Sequence, residues 1–366
     1  MSERVTVAGP LAHAALAQVL GIEGPSRRLP GRLTGGLRAG IVRDDWPTLD
    51  DVPGQWFVAT DTQWTPQLRR YAEIMGLQAR NIGGVPVLGL ASPGTEAGQQ
   101  HGEWPAALAA EVARDLLAQP AERPAAEIAQ RLPRLAAWAA SRLRAQAERG
   151  APLPPGPPAA DRVRVEARRE PYAHYFAVEE RRFRHRLHRG GWSDPVERAV
   201  FVSGDAVVVL PWDPVRDRVL VVDQFRAGPA VRGDGQPWIL EPVAGRIDAG
   251  ETPESTARRE ADEEAGLTLD RLFPAPASYP SPGMVAEFMY AFVAIADLPD
   301  GVTGVNGLET EHEDIRSHLI ARAELTRMAL DGRIVSGPLL LLALWLDRQA
   351  DGLRAELAAD EAPSGS

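Results

Sequence analysis

The chain has 366 residues, which suits two domains, and its 44% hydrophobic and 25% charged residues are typical of a globular protein. Its net charge of −10 argues against a general nucleic-acid binder, since such a protein needs a basic surface. The chain contains no cysteine, which excludes disulfides, thiolate zinc sites and cysteine nucleophiles.

The N-terminus and the apolar segments predict neither secretion nor membrane insertion. The first four residues, Met-Ser-Glu-Arg, do not lead from a basic start into an apolar core. The longest apolar run, 338–346, is too short to span a bilayer and predicts a buried helix over about 338–349. We therefore expect a cytoplasmic protein without a membrane partner.

Changes in composition divide the chain into segments. The first ninety residues read as α+β, with a short strand at 55–59, and 104–148 predicts two helices broken near 120–124. A proline-rich stretch that should be extended and stiff follows. The predicted segments are an α+β domain at 1–92, a helical segment at 103–149, a linker at 150–161, a second domain at 162–357 and a disordered tail at 358–366.

The second domain reads as strands with a few helices packed on them. Two β-branched runs, 205–210 and 218–223, are separated by a turn rich in proline and aspartate and predict a hairpin. Further strands are predicted at 237–242 and 287–294, and a polar helix at 252–265. This pattern favours an α/β sandwich.

The polar helix carries the most informative residues of the chain. Thr252 suits the N-cap, Pro253 the first helical position and Gly266 the residue just past the end. Glu260, Glu263 and Glu264 lie on or near one face, where like charges repel unless a cation binds. Carboxylate ligands favour Mg²⁺ or Mn²⁺, and Arg259 can pair with Glu251 or Glu263. The alternative interpretation is a solvated acidic face.

The spacing around this helix resembles the Nudix box, and its fixed positions are all filled. They are Gly245, Glu251, Arg259, Glu260, Glu263, Glu264 and Gly266, with Ala261 and Leu267 at the apolar positions. Seven identities at set intervals are a far more specific signal than a lone glycine motif. The resemblance implies a Nudix α/β/α sandwich and a hydrolase that cuts nucleoside diphosphates with magnesium.

Further segments are similar to the ADP-ribose pyrophosphatase branch of that family. They are 183–186, 213–217, 238–245, 281–283 and 309–316. Pro282 lies sixteen residues past Gly266, the position that marks ADP-ribose specificity in the family. The resemblance therefore implies that ADP-ribose is cut to AMP and ribose 5-phosphate by a protein that is usually a homodimer.

The same resemblance assigns roles to individual residues. Glu260, Glu264 and the carbonyl of Ala244 would hold metal, and Glu313 would complete a metal site. Glu311 would orient or deprotonate the attacking water, Glu263 would help, and either Glu311 or Glu313 could be the base. The substrate-binding residues would be Arg226 for phosphate, Glu287 for the terminal ribose, Phe176 for adenine, and Arg198 and Pro282. Arg226 could instead be a surface arginine and Phe176 a core residue.

The N-terminal segment up to about residue 90 resembles a γ-glutamylcyclotransferase-like fold, as in two-domain Nudix proteins similar to bacterial tellurite-resistance proteins. That family's substrate loop reads Tyr-Gly-Ser/Thr-Leu, whereas Ala8, Gly9, Pro10 and Leu11 stand here. Its catalytic acid would fall on Glu73 or Ala72, depending on the alignment. We expect a degenerate domain that serves packing, oligomer support or regulation.

Two alternatives to ADP-ribose hydrolysis remain from the sequence. One keeps the Nudix chemistry with a nucleotide sugar or another nucleoside diphosphate as substrate. An NADH pyrophosphatase is disfavoured because no Ser-Gln-Pro-Trp-Pro-Phe-like element follows the box. The other is a ligand sensor without turnover. The intact box argues against a sensor, because a sensor could lose its metal-binding glutamates at no cost.

Overall fold

The structure is a computed structural model that describes residues 3–91, 103–148, 161–308 and 313–361. Contacts within the chain divide it into two compact units. The first comprises Met1–Arg162, Ala173–Tyr175 and Asp248–Gly250, and the second comprises Val163–Tyr172, Phe176–Ile247 and Glu251–Ser366. The helical segment expected as a separate piece at 103–149 therefore belongs to the same unit as the first ninety residues.

The first unit combines a five-stranded sheet with helices. Its strands are β1 (Arg4–Ala8), β2 (Ser26–Pro30), β3 (Arg32–Thr34), β4 (Thr48–Asp50), β5 (Trp56–Gln63), β6 (Arg80–Ile82) and β7 (Val85–Leu88). The order in the sheet is β2-β5-β1-β7-β6, with β1 and β7 parallel, while β3 and β4 form a separate pair. Its helices are α1 (Ala14–Leu20), α2 (Pro66–Met75), α3 (Ala106–Leu117), α4 (Ala125–Gln130) and α5 (Leu132–Ala147).

The helical segment differs from its prediction in number and in packing. The expected break near 120–124 is present, but a further break at Arg131 separates α4 from α5, because Pro133 lies in the first turn of α5 and cannot continue a helix. Trp104 Nε1 donates to the carbonyl of Ala39 at 2.9 Å, which ties this segment to the first ninety residues.

The second unit contains the remaining strands and helices. The strands are β8 (Val163–Ala173), β9 (Ala177–His185), β10 (Val196–Val202), β11 (Ala206–Asp213), β12 (Arg218–Phe225), β13 (Trp238–Glu241), β14 (Val243–Arg246), β15 (Leu272–Ser278), β16 (Val285–Ala286), β17 (Met289–Ile295), β18 (Val305–Asn306) and β19 (Ile315–Ala321). The helices are α6 (Ala227–Arg232), α7 (Pro253–Ala265), α8 (Arg322–Leu330) and α9 (Gly337–Glu361). Strands β8 to β10 and β16 form a four-stranded sheet that the sequence did not predict.

The larger sheet has the order β15-β17-β11-β12-β19-β18, with β13 beside β12 and β14 beside β11. The predicted hairpin is only partly right. The turn at 214–217 is present, but β11 and β12 pair only at Trp212↔Val219 and Asp213↔Arg218. Along its whole length β11 instead pairs with β17 in parallel, from Ala206↔Met289 to Trp212↔Ile295. A distant segment therefore completes the centre of the sheet.

Both faces of this sheet are covered, which gives the expected sandwich of helices and strands. Alternate residues of the central strands pack against α7 on one face, among them Val207, Val209, Leu220 and Val222. The intervening residues pack against α8 and α9 on the other face, among them Val208, Leu210, Val219 and Val221. Trp212 is fully buried on that second face.

The last helix is longer than predicted. It runs from Gly337 to Glu361, past the end expected near 349 and into the segment expected as a disordered tail. Asp351 and Gly352 resemble a helix stop, but Leu342, Leu346 and Leu353 anchor both sides of them in the core. Within the part of the chain that the structure describes, no helix has the length and apolar content needed to cross a membrane.

Candidate functional site

Helix α7 begins and ends where its sequence predicts. Thr252 is the N-cap, and its Oγ1 accepts from Ser255 N at 3.1 Å while Ser255 Oγ accepts from Thr252 N at 3.0 Å. Gly266 ends the helix in the left-handed conformation with φ of 63°. Reciprocal capping fixes the helix start, so the side chains of its later turns have defined positions against β14.

Two glutamates of α7 lie directly against the backbone of β14. Glu264 Oε2 accepts from Ala244 N at 3.0 Å, and Glu264 is 2% exposed. A Cβ atom on Gly245 would lie 1.8 Å from Glu260 Oε1, so only glycine fits beside this carboxylate. The structure thus brings together Ala244, Gly245, Glu260 and Glu264, as the Nudix resemblance implied.

Arg259 links the glutamates of the box to one another. Its Nε and Nη2 donate to the two oxygens of Glu251 at 2.9 and 3.0 Å, a bidentate pair. Its Nη1 donates to Glu260 Oε1 at 2.8 Å and to Glu263 Oε2 at 2.9 Å. Glu251 is held in turn by Thr256 Oγ1 at 2.8 Å. Arg259 therefore orients three carboxylates, including both partners expected for it.

The two buried glutamates have raised pKa values. Burial raises the pKa of Glu260 to about 7, against the lowering effect of Arg259. Burial raises the pKa of Glu264 to about 8, although the hydrogen bond from Ala244 N opposes this shift. The charges of Glu260 and Glu313 raise the pKa of Glu264 further. The protein alone does not compensate these negative charges.

The donor set fits a divalent cation. Buried oxygen ligands that repel one another suit magnesium or manganese, and a cation would supply the missing positive charge. Over 3–91, 103–148, 161–308 and 313–361, no three His, Asp or Glu side chains already converge as a metal-ligand group. Arg259 Nη1 donates to Glu260 Oε1, so this arginine orients a carboxylate that would hold the cation.

The acidic loop is only partly visible. Glu311, the residue implied to activate water, lies outside the described residues. Glu313 is described: it lies against Gly307, whose N donates to the carbonyl of Glu263 on α7 at 3.2 Å, and its charge raises the pKa of both Glu260 and Glu264. Its Oε2 accepts from Leu308 N at 3.2 Å. The structure therefore brings Glu313 to the carboxylates of α7.

Arg226 lies at the same end of the sheet. It follows β12, and its positive charge lowers the pKa of Glu264. Its Nε donates to Glu241 Oε2, so Arg226 is ion-paired rather than a free surface arginine. Glu241 belongs to β13, and its side chain is 15% exposed. This pair could not be predicted, because it depends on the pairing of β12 with β13, whose register cannot be derived from local sequence.

The residues implied to bind ribose lie near β16. Burial raises the pKa of Glu287, and a hydrogen bond from Ser203 Oγ at 2.7 Å opposes that shift. Ser203 is itself buried and was not singled out from the sequence. Pro282 is exposed in the turn that precedes β16. Ser203 and Glu287 thus form a polar pair that is separate from the glutamates of α7.

Phe176 lies in the bend between β8 and β9, and Arg198 lies on β10 of the four-stranded sheet. The ring of Phe176 packs on Phe201 with centroids 4.6 Å apart, and Phe176 is half-buried. Arg198 is exposed, and its Nη1 donates to the carbonyl of Glu197 at 2.8 Å. Arg198 also lines a cavity of about 260 Å³ that is rich in arginine. Both residues thus lie in the region of the four-stranded sheet, which is separate from the larger sheet against which α7 packs.

Known proteins are similar to this half of the chain. The NUDIX domain family matches residues 202–339. ADP-ribose pyrophosphatase of Escherichia coli strain K12 is 39% identical over 196 residues, which cover 54% of this chain and 93% of that protein. ADP-ribose pyrophosphatase of Haemophilus influenzae is 34% identical over 177 residues, covering 48% of this chain and 81% of that protein.

A relative that is named for a different substrate has a lower sequence identity. GDP-mannose pyrophosphatase of Yersinia pestis is 31% identical over 145 residues, covering 40% of this chain and 72% of that protein. The matches share the region that holds the capped helix, the buried glutamates and the arginine that links them. The chain belongs to the Nudix family.

Proposed function

We propose that this protein hydrolyses the diphosphate bond of ADP-ribose to AMP and ribose 5-phosphate, with Mg²⁺ as cofactor and Mn²⁺ as a substitute. The observation that carries this proposal is the similarity over 93% of the length of an ADP-ribose pyrophosphatase. The buried Glu260 and Glu264 add a physical reason. Burial disfavours their ionised forms, as the raised pKa values show, and a bound cation would stabilise those forms.

The chemistry follows from the charge of the substrate, since a diphosphate is anionic and repels hydroxide. When bound, a divalent cation neutralises phosphate charge and lowers the pKa of a bound water. Glu260, Glu264 and the carbonyl of Ala244 are the proposed ligands, and Glu313 completes the set. Arg259 keeps Glu260 and Glu263 in place through the contacts described above.

Proton transfer is assigned to the acidic loop. Glu311 orients or deprotonates the attacking water, Glu313 is the second candidate for this base, and Glu263 helps on α7. In many enzymes, loop residues complete the catalytic site only when the loop closes over the substrate.

Substrate recognition uses groups on both sheets of the second unit. Arg226 binds a phosphate, and Glu287 hydrogen-bonds the terminal ribose. Pro282 shapes the turn beside that ribose. Phe176 stacks on adenine, and Arg198 contacts the substrate from the four-stranded sheet. The exposed guanidinium of Arg198 and the arginine-rich cavity beside it support an anionic ligand there.

The wider organisation is also proposed. The protein acts as a homodimer in the cytoplasm, without nucleic-acid or membrane partners. Its first unit is a degenerate γ-glutamylcyclotransferase-like domain that does not catalyse, since Ala8 and Pro10 replace the tyrosine and hydroxyl residues of that family's loop. Light scattering of the purified protein tests the dimer, and a monomer at micromolar concentration contradicts it.

The central experiment measures phosphate released from ADP-ribose with magnesium and a coupled phosphatase. The panel includes GDP-mannose, other nucleotide sugars and dinucleotides, and a chelator serves as the negative control. We expect ADP-ribose to have the highest kcat/KM and the chelator to abolish turnover. A preference for another diphosphate contradicts the substrate, and no turnover of any compound contradicts the enzyme and favours a sensor.

GDP-mannose is the second candidate because a relative named for it shares 31% identity over 72% of its own length. The lower identity and shorter match rank it below ADP-ribose. Equal turnover of both compounds would indicate a site that reads the diphosphate rather than the sugar.

A further inference from the structure

Gln224 carries a buried hydrogen-bond donor that no group in the described chain accepts. The residue is 6% exposed, and its Nε2 is fully buried without a hydrogen-bond partner. Buried donors in folded proteins are satisfied in the great majority of cases, because an unmade hydrogen bond costs the desolvation of the group. Such a donor beside a reaction site is a candidate for a partner that arrives in another state of the protein.

Strand alternation places Gln224 on the face that carries α7. Leu220 and Val222 belong to the core cluster under α7, and Gln224 follows them at the same spacing of two along β12. Arg226 comes two residues later and acts electrostatically on Glu264. Gln224 therefore lies between the apolar core and the carboxylate site.

The register of β12 with β13 gives Gln224 an acidic neighbour. Val222 pairs with Glu241 and Gln224 pairs with Ile239, so Gln224 and Glu241 are diagonal neighbours on one face of the sheet. Diagonal neighbours are within reach of long side chains. In this conformation, however, Glu241 Oε2 accepts from Arg226 Nε, and Gln224 Nε2 has no acceptor.

Glu241 cannot lose Arg226 without a replacement. Its side chain is 15% exposed, so water would satisfy it poorly if the arginine moved away. In the proposed function Arg226 binds a phosphate of the substrate, and turning its guanidinium toward that phosphate would weaken the Nε contact with Glu241. A second donor beside Glu241 would compensate for that loss, and Gln224 is placed for this role.

We propose that Gln224 is the alternative donor for Glu241: when Arg226 turns from Glu241 to a phosphate of the bound diphosphate, Gln224 Nε2–H donates to the Glu241 carboxylate. Gln224 is thus a positioning residue that favours the substrate-bound position of Arg226. This inference rests on the proposed diphosphatase activity, but not on which nucleoside the substrate carries.

The first test compares stability with activity in Gln224→Met, which keeps the length of the side chain and removes the donor. We expect its kcat/KM to fall about 10- to 100-fold, since hydrogen bonds to charged groups are the stronger ones. We expect its melting temperature without substrate to stay equal or rise, because an unsatisfied buried donor is gone. A lower melting temperature with unchanged kcat/KM overturns the proposal, since Gln224 would then only support packing.

The second test is a double-mutant cycle of Gln224→Met and Glu241→Gln. We expect the two substitutions to be coupled in kcat/KM, so that their effects do not multiply, and to be independent in melting temperature without substrate. Coupling in both measurements, or in neither, overturns the proposal. Gln224→Glu adds a further check: it is expected to be worse than Gln224→Met, because it puts a second carboxylate beside Glu241.

These outcomes are separable from failure of the proposed function. The cycle is measured with whichever diphosphate of the substrate panel the wild-type protein cleaves best, so a wrong nucleoside leaves the test intact. If the wild-type protein cleaves none of them, the cycle is run on the Kd of magnesium ADP-ribose by calorimetry. Absence of coupling there overturns the inference by itself.

Discussion

Two groups of buried carboxylates in the second unit have opposite electrostatics. At the turn after β11, burial raises the pKa of Asp213, but hydrogen bonds from Arg216, Leu298 and Val215 outweigh burial and the pKa is lowered. On α7, burial dominates, and the pKa values of Glu260 and Glu264 are raised to about 7 and 8. The residue types are alike, but only the first group is supplied with enough donors.

This contrast distinguishes carboxylates that stabilise the fold from carboxylates that are available for metal binding and catalysis. Asp217, near Asp213, accepts from Arg322, Arg354 and Trp212, so every charge at that turn has a partner on another element. Glu251, Glu260 and Glu263 share one arginine, whereas Glu264 accepts from Ala244 N and is repelled by the charges of Glu260 and Glu313. Strongly raised pKa values in a cluster are a mark of a functional site. The following predictions test that distinction.

The largest effect is expected from Glu260→Gln or Glu264→Gln. Either substitution should lower magnesium-dependent kcat by about 1000-fold, because losing ~4 kcal/mol of transition-state stabilisation corresponds to three powers of ten. Steady-state rates with ADP-ribose measure this effect. Far-ultraviolet circular dichroism of each variant provides the control for folding. A variant that keeps more than a tenth of the wild-type rate would remove that residue from the proposed metal ligands.

A smaller loss is expected from Gly245→Ala. The added Cβ would lie 1.8 Å from Glu260 Oε1 and must displace that carboxylate. Displacing a catalytic group by about 1 Å can cost about 100-fold in rate. Gly352→Ala on α9 is the matched control, since a Cβ there meets no atom within 4 Å. Equal kinetics of the two variants would show that Glu260 does not need its present position.

In the group of carboxylates with lowered pKa values, Asp213→Asn should lower the free energy of unfolding. It should not lower the activity of the folded protein. Loss of charge-assisted hydrogen bonds at this buried site should cost about 2–3 kcal/mol, seen in urea unfolding. Because the folded pKa is lowered, this stabilisation is present above the ordinary aspartate pKa of 3.8 and is lost as pH falls through the folded pKa. A difference between variant and wild type that persists in full at pH 2 contradicts this assignment.

The smallest expected effect is a pH dependence of stability in the metal-free protein. The folded pKa values of Glu260 and Glu264 lie above the ordinary glutamate pKa of 4.5, so the fold favours their neutral forms. Stability should therefore fall as pH rises from about 4.5 through 7 and 8, and thermal melts in a chelator measure it.

Two additions sharpen this pH experiment. Magnesium should restore the melting temperature more at pH 8.5 than at pH 5.5, because it stabilises the ionised carboxylates. Glu264→Gln should flatten the pH dependence in the chelator. If the wild type and Glu264→Gln show the same slope between pH 5.5 and 8.5, the titration belongs to other groups.

The sequence predicted the parts of this site that depend on local signals. Helix α7 has its start at Thr252 and its end at Gly266, and its glutamates follow a fixed spacing, so both could be read directly. The turn at 214–217 was also predicted from its proline and aspartates. Such features are decided by residues within one or two helical turns of each other.

Long-range pairing could not be predicted in the same way. The parallel partner of β11 is β17, which lies far along the chain. The local sequence pattern instead predicts a hairpin with the adjacent β12. The ion pair of Arg226 with Glu241 and the contact of Ser203 with Glu287 depend on such pairings. Strands β8 to β10 escaped prediction because most of β8 is exposed and rich in charge, which hides the alternation of apolar residues.

The parallel pairing of β11 with β17 also determines when the site can form during synthesis. Helix α7 carries its own start and stop signals and can form soon after it leaves the ribosome. The sheet beneath it waits for Met289–Ile295, because parallel strands must close a long stretch of chain before they gain contacts. Until then one edge of the apolar strand Ala206–Asp213 is open, because β12 and β14 pair only with its other edge. A chain terminated before β17 is thus an aggregation hazard for the cell rather than a weak enzyme.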